Sequence, residues 1–267
     1  MARAILPEEL WTLVEPLLPP DKPLKSNGRP AVANRDALTG ILFVLRTGIP
    51  WEYLPQEMGC GCGMTCWRRL SKWQELGVWQ RVYEVMLARL HKADRIDWSR
   101  VVVDSSSVRA VFGGKQTGPN PTDRRKLGTK HHLVTDGQGI PLAFTVTGAN
   151  RHDVTQLVAL IDAIPPVRGK VGRPKRRPRY VVADRAYHSA PHEVELSDRG
   201  IGAFIARRKS SHGSGLGILR WVVERTISWL HQFRRLRVRY ERRVDIHEAF
   251  LALGCVCICF NFVNDFC

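Results

Sequence analysis

Arg100-Val-Val-Val-Asp104 and Tyr180-Val-Val-Ala-Asp184 are the two stretches of sequence that decide the fold. Each is a short valine-rich run that closes on an aspartate, a pattern typical of a buried strand that delivers its carboxylate to the end of a sheet. Alone, either aspartate could be a cap or a turn residue. A third acid, Glu224, follows Trp221-Val-Val223 in a helical pattern. Three such acids in one basic chain favour a shared site over three separate caps.

The residue types of this acidic triad, Asp104, Asp184 and Glu224, indicate a divalent-metal site for cutting nucleic acid. Hard cations such as Mg²⁺ prefer carboxylate oxygens as ligands. Phosphodiester transfer needs an activated attacking oxygen and a stabilised leaving oxygen, which two ions about 3.5 to 4 Å apart supply together. The sequence therefore predicts two Mg²⁺ or Mn²⁺ ions: Asp104 bridges both, Asp184 completes one site and Glu224 holds the other.

The charge balance indicates the class of partner. Among 267 residues, 41 Lys and Arg outnumber 25 Asp and Glu, which gives a formal net charge of +16. Such an excess is the electrostatic signature of a protein that meets polyphosphate, so double-stranded DNA is the expected partner. An anionic membrane would attract the same charge, but the basic residues are scattered and form no amphipathic anchor.

Neither a membrane segment nor a nucleotide cofactor is expected. The first residues, Met1–Pro7, lack the apolar core of a signal peptide, and we expect the apolar stretch near 249–262 to be too short and too interrupted to span a bilayer. Lys115 follows two glycines, but the GxxxxGK[ST] frame of a phosphate-binding loop is absent. The seven cysteines lack the usual zinc spacing, so reduced thiols are favoured over structural zinc, and a cytoplasmic protein is expected.

Up to about residue 95 the apolar residues recur at helical spacing, which predicts a small all-helical N-terminal domain, residues 1–95. The predicted helices are 8–18, 34–47, 65–75 and 78–91. From residue 96 onward the pattern predicts strands 101–104, 131–135, 142–147, 180–183 and 203–206, with helices 153–163, 190–198 and 216–237. Hairpin strands followed by a parallel strand reached through a helix predict an α/β domain, residues 96–267, with a mixed sheet flanked by helices.

Basic residues around the third acid are the first candidates for contacts to DNA. Arg220 and His231 share a helix face with Glu224, although a solvated ion pair is the alternative for Arg220. Arg234 and Arg235 belong to a run dense enough in base to contact the DNA backbone, or to form a solvated helix end. The expected contacts also include basic residues of an acid-free loop and one residue before a strand: Arg173, Lys175, Arg176, Arg177 and Lys130.

Two histidines and one further aspartate are interpreted as structural. His131 and His132 alternate faces of a strand, so at most one faces the acidic triad, and a hydrogen-bonded core or surface role is favoured for each. Asp153 directly precedes a helical pattern, which predicts a helix N-cap.

Eight motifs follow one another along nearly the whole chain: Trp11-Thr-Leu-Val-Glu-Pro-Leu-Leu-Pro19, Gly28-Arg-Pro30, Leu45-Arg-Thr-Gly-Ile-Pro-Trp51, Asp104-Ser-Ser-Ser107, Lys130-His-His-Leu-Val-Thr-Asp136, Gly148-Ala-Asn-Arg-His-Asp153, Ala183-Asp-Arg-Ala-Tyr187 and Arg220-Trp-Val-Val-Glu-Arg225. In this order they resemble the DDE-type transposases of bacterial insertion sequences, specifically the insertion-sequence-5 family. In the family's third-acid motif a Tyr and a Lys accompany the Arg and the Glu. Here Gly217 and His231 stand at those positions, and a His is only partly charged near neutral pH.

The resemblance implies a ribonuclease-H-like catalytic fold, two Mg²⁺ ions held by the acidic triad, and a helical domain that recognises the element's terminal inverted repeats. The implied activity is metal-dependent DNA strand cleavage followed by transfer of the 3′-OH into target DNA. It further implies a bacterial protein associated with the nucleoid, and a homo-oligomer when two ends are synapsed. Two alternatives remain open: a catalytically silent remnant that binds DNA as a repressor, and a general metal-dependent nuclease.

Overall fold

The computed structural model describes residues 4–20, 31–207 and 217–264. The first third of the chain is helical, as predicted, with α1 Glu8–Val14, α2 Asn34–Thr47, α3 Gly63–Glu75 and α4 Val78–Lys92. The predicted first helix ends in 3₁₀ geometry over Glu15–Leu17, where Pro16 lacks a main-chain donor. The predicted motif Gly28-Arg-Pro30, the helix start at Leu216 and Cys267 lie outside the described residues.

A mixed sheet forms the rest of the fold. Its strands are β1 Arg100–Ala110, β2 Gly118–Pro119, β3 Leu127–Asp136, β4 Pro141–Gly148, β5 Tyr180–Ala183, β6 Gly202–Ile205 and β7 Val238–Arg239. β1 is central: it pairs antiparallel with β3, which pairs antiparallel with β4, and it pairs parallel with β5, which pairs parallel with β6. Three antiparallel strands beside two parallel ones, with helices around them, confirm the predicted ribonuclease-H-like class.

Five further helices pack around the sheet: α5 Leu157–Asp162, α6 Ala190–Asp198, α7 Gly217–Gln232, α8 Arg234–Arg237 and α9 Val244–Val263. The single helix predicted over 216–237 is interrupted, because Phe233 has extended backbone and separates α7 from α8. α7 lies against β1, β3, β5 and α9, and its Val222, Val223 and Leu230 are buried. This contact carries the third acid of the triad to the sheet.

Helix α9 is the central element of the core. Among the described residues it is the one helix long and apolar enough to cross a membrane, so the expectation that this stretch is too short was wrong. However, 83% of its most apolar window is buried inside the protein, against α3, α4 and α7. A helix that is apolar all round belongs in a core when neighbours cover it. Its Cys255, Cys257 and Cys259 are buried, as predicted for small packing residues.

The helical N-terminal residues and the sheet share one hydrophobic core. The Trp51 ring stacks on Phe250 of α9 with centroids 5.9 Å apart. Tyr83 of α4 donates a hydrogen bond from Oη to the Pro141 carbonyl oxygen at 2.7 Å. α9 packs on α2, α3 and α4 as well as on β4. The boundary predicted near residue 95 therefore marks a change of secondary structure, and core packing continues across it.

His131 and His132 are both core residues. His131 Nε2 lies 2.7 Å from His247 Nε2, and His132 Nε2 lies 2.8 Å from Thr147 Oγ1. Burial lowers the pKa of His132 to about 4 and holds the pKa of His131 well below its usual range. The prediction of a hydrogen-bonded core or surface role is confirmed for each histidine, and the structure places both in the core.

We expect the protein to lose stability as the pH falls from 6.5 towards about 4. In this range the unfolded chain protonates His132 while the folded protein, whose His132 pKa is lower, does not, so acid favours unfolding. His132 alone predicts a loss of about 2 kcal/mol between about pH 7.5 and about pH 5. Urea unfolding at both pH values measures this loss. His132→Gln should reduce the pH dependence and His152→Gln, at an exposed position, should not; equal dependence in both variants would contradict the assignment.

Candidate acidic active site

Two neighbouring parallel strands place two aspartates side by side. In the parallel register of β1 and β5, Val102 pairs with Val182. The same register continued by two residues sets Asp104 beside Asp184, on strands about 4.8 Å apart. Asp184 directly follows β5, as predicted. Asp104 lies in mid-strand rather than at a strand end, because the serines after it continue the pairing of β1 with β3.

Helix α7 brings the third acid to this pair. Arg220 Nη2 lies 3.2 Å from Asp104 Oδ2 and 3.5 Å from Glu224 Oε1. One guanidinium therefore links an acid of the sheet with the acid of the helix. The simple solvated pair between Arg220 and Glu224 does not describe this contact, since the Arg220 side chain is only 21% exposed and also binds Asp104.

Burial dominates the electrostatics of Asp104. Burial raises the pKa of this carboxyl, and the nearby Asp184 acts in the same direction. The Ser105 N–H, which donates to Asp104 Oδ1 at 2.8 Å, and the Arg220 guanidinium oppose the rise. When neighbouring groups offset the charge of a buried carboxylate only in part, a cation placed next to it stabilises the ionised form. In this structure Arg220 supplies that positive charge.

A second layer of polar side chains supports the aspartates, and the sequence did not indicate it. Ser105 Oγ donates to Asp153 Oδ1 at 2.6 Å, and the Lys130 ammonium lies 3.0 Å from the same carboxylate oxygen. Tyr187, three residues after Asp184, is buried nearby, and burial raises the pKa of its hydroxyl well above the usual range. These residues come from β1, β3 and two 3₁₀ turns, so no local pattern marks them as a group.

Asp153 and Lys130 do not have the roles predicted for them. The residue at the cap position of the following 3₁₀ turn is His152, and the Asp153 carboxylate binds Ser105 and Lys130 instead. Lys130 is 9% exposed, and its ammonium also donates to the Arg151 carbonyl oxygen at 2.9 Å. Buried and bound to these two partners, Lys130 positions Asp153 and does not present its charge to DNA.

Arg235 also departs from its prediction. It is 6% exposed, and its Nε lies 2.7 Å from Glu241 Oε1. Its Nη1 donates to the Ile49 carbonyl oxygen at 3.0 Å, so the guanidinium joins α8 to the loop after α2. The expectation of a DNA-backbone contact is corrected to a buried ion pair within the core. The adjacent Arg234 is exposed.

A cleft of about 510 Å³ opens beside the acidic triad, and its lining includes Ser106, Glu224, His231, Arg234 and Arg237. Arg234 and Arg237 are exposed and supply positive charge. His231 Nε2 lies 3.5 Å from Ser106 Oγ, and burial lowers the pKa of this histidine. The cations available to a phosphate in this cleft are therefore the arginines rather than His231.

The basic loop before β5 lies at the other end of that strand. Its residues Arg173, Lys175, Arg176 and Arg177 precede Tyr180, whereas Asp184 follows the last residue of β5. All four basic residues are exposed, as expected for a loop that would contact DNA. Arg176 Nε donates to the Ile164 carbonyl oxygen at 2.9 Å, and Arg177 Nη1 donates to the Arg199 carbonyl oxygen at 3.1 Å. The structure does not bring this loop to the acidic triad.

The three acids are close together without forming a finished metal site. Within the part of the chain that the structure describes, no group of three or more His, Cys, Asp or Glu side chains is placed to hold one metal ion. Arg220 lies between two of the acids, and the Glu224 side chain is 57% exposed. Displacement of Arg220 and rotation of Glu224 are the changes that would gather all three carboxylates around a cation.

Two family models match the chain. The model described as "Transposase DDE domain" matches residues 97–261. The model described as "Putative transposase of IS4/5 family" matches residues 6–83. The residues that match the first model make up more than half of the chain and include all three acids of the triad.

Two proteins of similar sequence are named after a bacterial insertion element. Over 162 residues the chain is 60% identical to "Putative transposase for insertion sequence element IS402" of Burkholderia cepacia, covering 61% of this chain and 75% of that protein. Over 123 residues it is 61% identical to "Insertion element IS402 uncharacterized 16.2 kDa protein" of the same organism, covering 45% and 84%. A solved pre-cleavage Mos1 transpososome aligns over 89% of this chain and 82% of that chain, with 11% identity and a TM-score of 0.29. The chain belongs to the DDE-domain transposases of bacterial insertion sequences.

Proposed function

We propose that this transposase binds the terminal inverted repeats of an insertion sequence, cuts DNA at each end and joins the freed 3′-OH to target DNA. In the first step water attacks phosphorus, and the bond to the 3′ oxygen breaks to leave a 3′-OH. In the second step this 3′-OH attacks a target phosphorus and displaces the 3′ oxygen of the target strand. Both steps are in-line displacements at phosphorus, so one acidic site serves both.

The main support for the proposal is that one guanidinium, that of Arg220, pairs with an acid of the sheet and with an acid of α7. Arg220 binds both Asp104 and Glu224, and Asp184 is close enough to raise the pKa of the buried Asp104. Three carboxylates are the donor set that Mg²⁺ and Mn²⁺ prefer. A divalent ion would stabilise the ionised Asp104 more strongly than one guanidinium does. The donor types of the triad therefore suit divalent ions, which would replace the Arg220 guanidinium between the acids.

When bound, the ions would stabilise the attacking and leaving oxygens of the phosphodiester. The chain itself orients the ligands: the Ser105 N–H donates to Asp104 Oδ1 at 2.8 Å, and the Ala186 N–H donates to Asp184 Oδ1 at 2.8 Å. Arg220, once released from Asp104, would be free to donate two parallel hydrogen bonds to a DNA phosphate. Arg234, at the surface of the adjoining cleft, would bind the next part of the backbone.

Double-stranded DNA, as element ends and as target, is the proposed partner of the whole basic surface. The net charge of +16 supports binding with steep salt dependence. The helical residues 1–95 are proposed to recognise the end sequence. Joining two ends in one complex would require at least two copies of the chain. A transposase acts where chromosomal DNA lies, so the proposed location is the bacterial cytoplasm, at the nucleoid.

The proposal is tested by cleavage of a labelled duplex that carries the element's own ends, with Mg²⁺ or Mn²⁺ compared against a chelator. We expect metal-dependent release of a 3′-OH and faster cleavage at the ends than in an unrelated duplex of equal length. Binding to the ends without cleavage would support a silent repressor instead. Cleavage without preference for the ends would support a general nuclease.

A further inference from the structure

An exposed pair of aromatic rings lies beyond the end of β1. Phe112 follows β1 and Tyr240 follows β7, and their ring centroids are 6.3 Å apart. Phe112 is 56% exposed and Tyr240 is 36% exposed. The guanidinium carbon of Arg242 lies 6.0 Å from the centroid of the Phe112 ring. Exposed rings flanked by arginine are the side chains on which nucleobases stack.

A buried arginine holds this surface in place. Arg239 is fully buried and donates to the Lys115 carbonyl oxygen at 2.7 Å and to the Glu241 carbonyl oxygen at 2.8 Å. One guanidinium thus fixes the main chain of both segments that carry the aromatic pair. Gly114 permits their close approach, because a Cβ at that position would lie 2.1 Å from the Arg242 carbonyl oxygen. The rings are therefore presented by a constrained backbone.

A tight turn in the same loop presents two further arginines. Arg124 and Arg125 have φ values of 48° and 59°, in the left-handed region that side chains other than glycine rarely adopt. Asn120 holds this turn, since its carbonyl oxygen accepts from the Arg125 N–H at 3.0 Å and its Oδ1 accepts from the Thr122 N–H at 3.1 Å. Both arginine side chains are exposed. The surrounding contacts enforce the strained backbone and fix two cations at the surface.

The positive charge of this surface is not neutralised. Residues 111–126 contain a single acid, Asp123. Among the described residues, five exposed cations of the surface form no ion pair with a carboxylate: Lys115, Arg124, Arg125, Lys126 and Arg242. By contrast, Arg220 at the acidic triad and Arg235 in the core are paired with carboxylates. An unpaired cluster beside exposed rings fits an anionic partner that also has flat apolar faces.

We propose that Phe112, Tyr240 and Arg242 form a stacking platform for unpaired bases of a DNA strand, whose phosphates bind the Arg124–Arg125 turn. The proposal rests on the proposed function, because cutting and joining at an element end produce unpaired segments. Duplex DNA keeps the faces of its bases covered and does not offer them to the platform. Stacking tolerates every base, so binding without sequence preference is expected.

Exposed arginines lie between the stacking platform and the acidic triad. Ala110 ends β1 six residues after Asp104, which is about 20 Å along an extended strand. The cleft with Arg234 and Arg237 lies between them, since α8 leads directly into β7 and β7 pairs with the last residues of β1. A DNA strand held at the triad would therefore continue through the cleft to the platform.

Binding of labelled oligo(dT), measured with a chelator present so that cleavage does not occur, tests the platform. We expect Phe112→Leu to weaken this binding by about tenfold, because a base loses its aromatic partner while the apolar volume stays. Phe112→Trp should bind at least as tightly as the unmodified chain. Phe204→Leu is the matched control: Phe204 is 51% exposed and pairs with the Tyr180 ring on another strand pair of the sheet, and its replacement should leave binding unchanged.

Salt dependence tests the arginine turn separately. Arg124→Gly combined with Arg125→Gly removes both charges while glycine adopts the left-handed backbone without strain. The double variant should reduce the slope of log affinity against log salt by about 1.4, at about 0.7 for each single-strand phosphate contact that is lost. An unchanged slope would overturn the assignment of phosphates to this turn.

Two outcomes would overturn the platform itself. One is equal oligo(dT) binding by Phe112→Leu and the unmodified chain, at equal melting temperature. The other is an equal loss in Phe204→Leu, which would mean that any exposed ring contributes. A loss for duplex as large as for oligo(dT) would overturn the assignment to unpaired bases. Because no cleavage is measured, a chain that fails to cut element ends but binds oligo(dT) through Phe112 would refute the proposed function alone.

Discussion

Asp184→Asn is expected to lower the rate of DNA strand cleavage by on the order of 1,000-fold, because under the proposed function it removes a metal-binding carboxylate and with it several kcal/mol of transition-state stabilisation. The fold should be unaffected. Asp184 Oδ1 accepts the Ala186 N–H at 2.8 Å, and an asparagine oxygen at the same place accepts it equally well. Asp104→Asn should behave similarly, since the uncharged amide does not carry the desolvation cost that raises the pKa of the Asp104 carboxyl.

Measuring duplex binding distinguishes loss of a catalytic carboxylate from simple loss of folding. Removing a negative charge from a basic surface should leave DNA affinity equal or slightly higher. Both asparagine variants should therefore cleave DNA more slowly while they bind it with unchanged or slightly higher affinity. Glu224→Gln should show the same combination. The matched control is Asp162→Asn: Asp162 pairs with Arg199 at 2.8 Å at the surface, away from the triad, and its variant should cleave normally. Cleavage that survives Asp184→Asn would show that another carboxylate completes the site.

The elements that hold the three acids could be predicted because each acid sits in a strong local pattern. Valine-rich runs indicate buried strands, and a parallel register then places Asp104 and Asp184 side by side. The length of β1 could not be predicted in the same way. Ser105, Ser106 and Ser107 carry a weak strand signal, yet their pairing with β3 continues the strand to Ala110. Pairing with a neighbour outweighs intrinsic propensity in the middle of a sheet.

The roles of single basic residues were the least predictable part of the site. Arg234 and Arg235 are neighbours in one basic run, and nothing local separates them. The structure exposes the first and buries the second against Glu241 and the Ile49 carbonyl oxygen, which lies 186 positions earlier in the chain. Lys130 is buried for the same kind of reason, since Asp153 meets it only in the folded sheet. Charge density predicts that a chain binds DNA, whereas tertiary contacts decide which cations remain available.

Arg235→Ala is expected to destabilise the protein by about 3 to 5 kcal/mol, because it leaves the buried Glu241 without its cation. Arg235 Nε lies 2.7 Å from Glu241 Oε1, and both side chains are less than a tenth exposed. The substitution also leaves the carbonyl oxygens of Gly48 and Ile49 without their donor. Urea unfolding near neutral pH measures the change. Any fall in DNA binding by this variant should follow the fraction unfolded.

Arg234→Ala provides the comparison. Arg234 is exposed at the cleft beside the triad, so its loss should lower DNA affinity and the salt slope while the free energy of unfolding stays within about 0.5 kcal/mol of the unmodified chain. A second experiment replaces both members of the buried ion pair. Arg235→Met with Glu241→Gln should recover part of the lost stability, since the cost of Arg235→Ala lies largely in the unpaired carboxylate. If Arg235→Ala instead weakened DNA binding at full stability, Arg235 would be a DNA contact after all, exposed by a movement of α8.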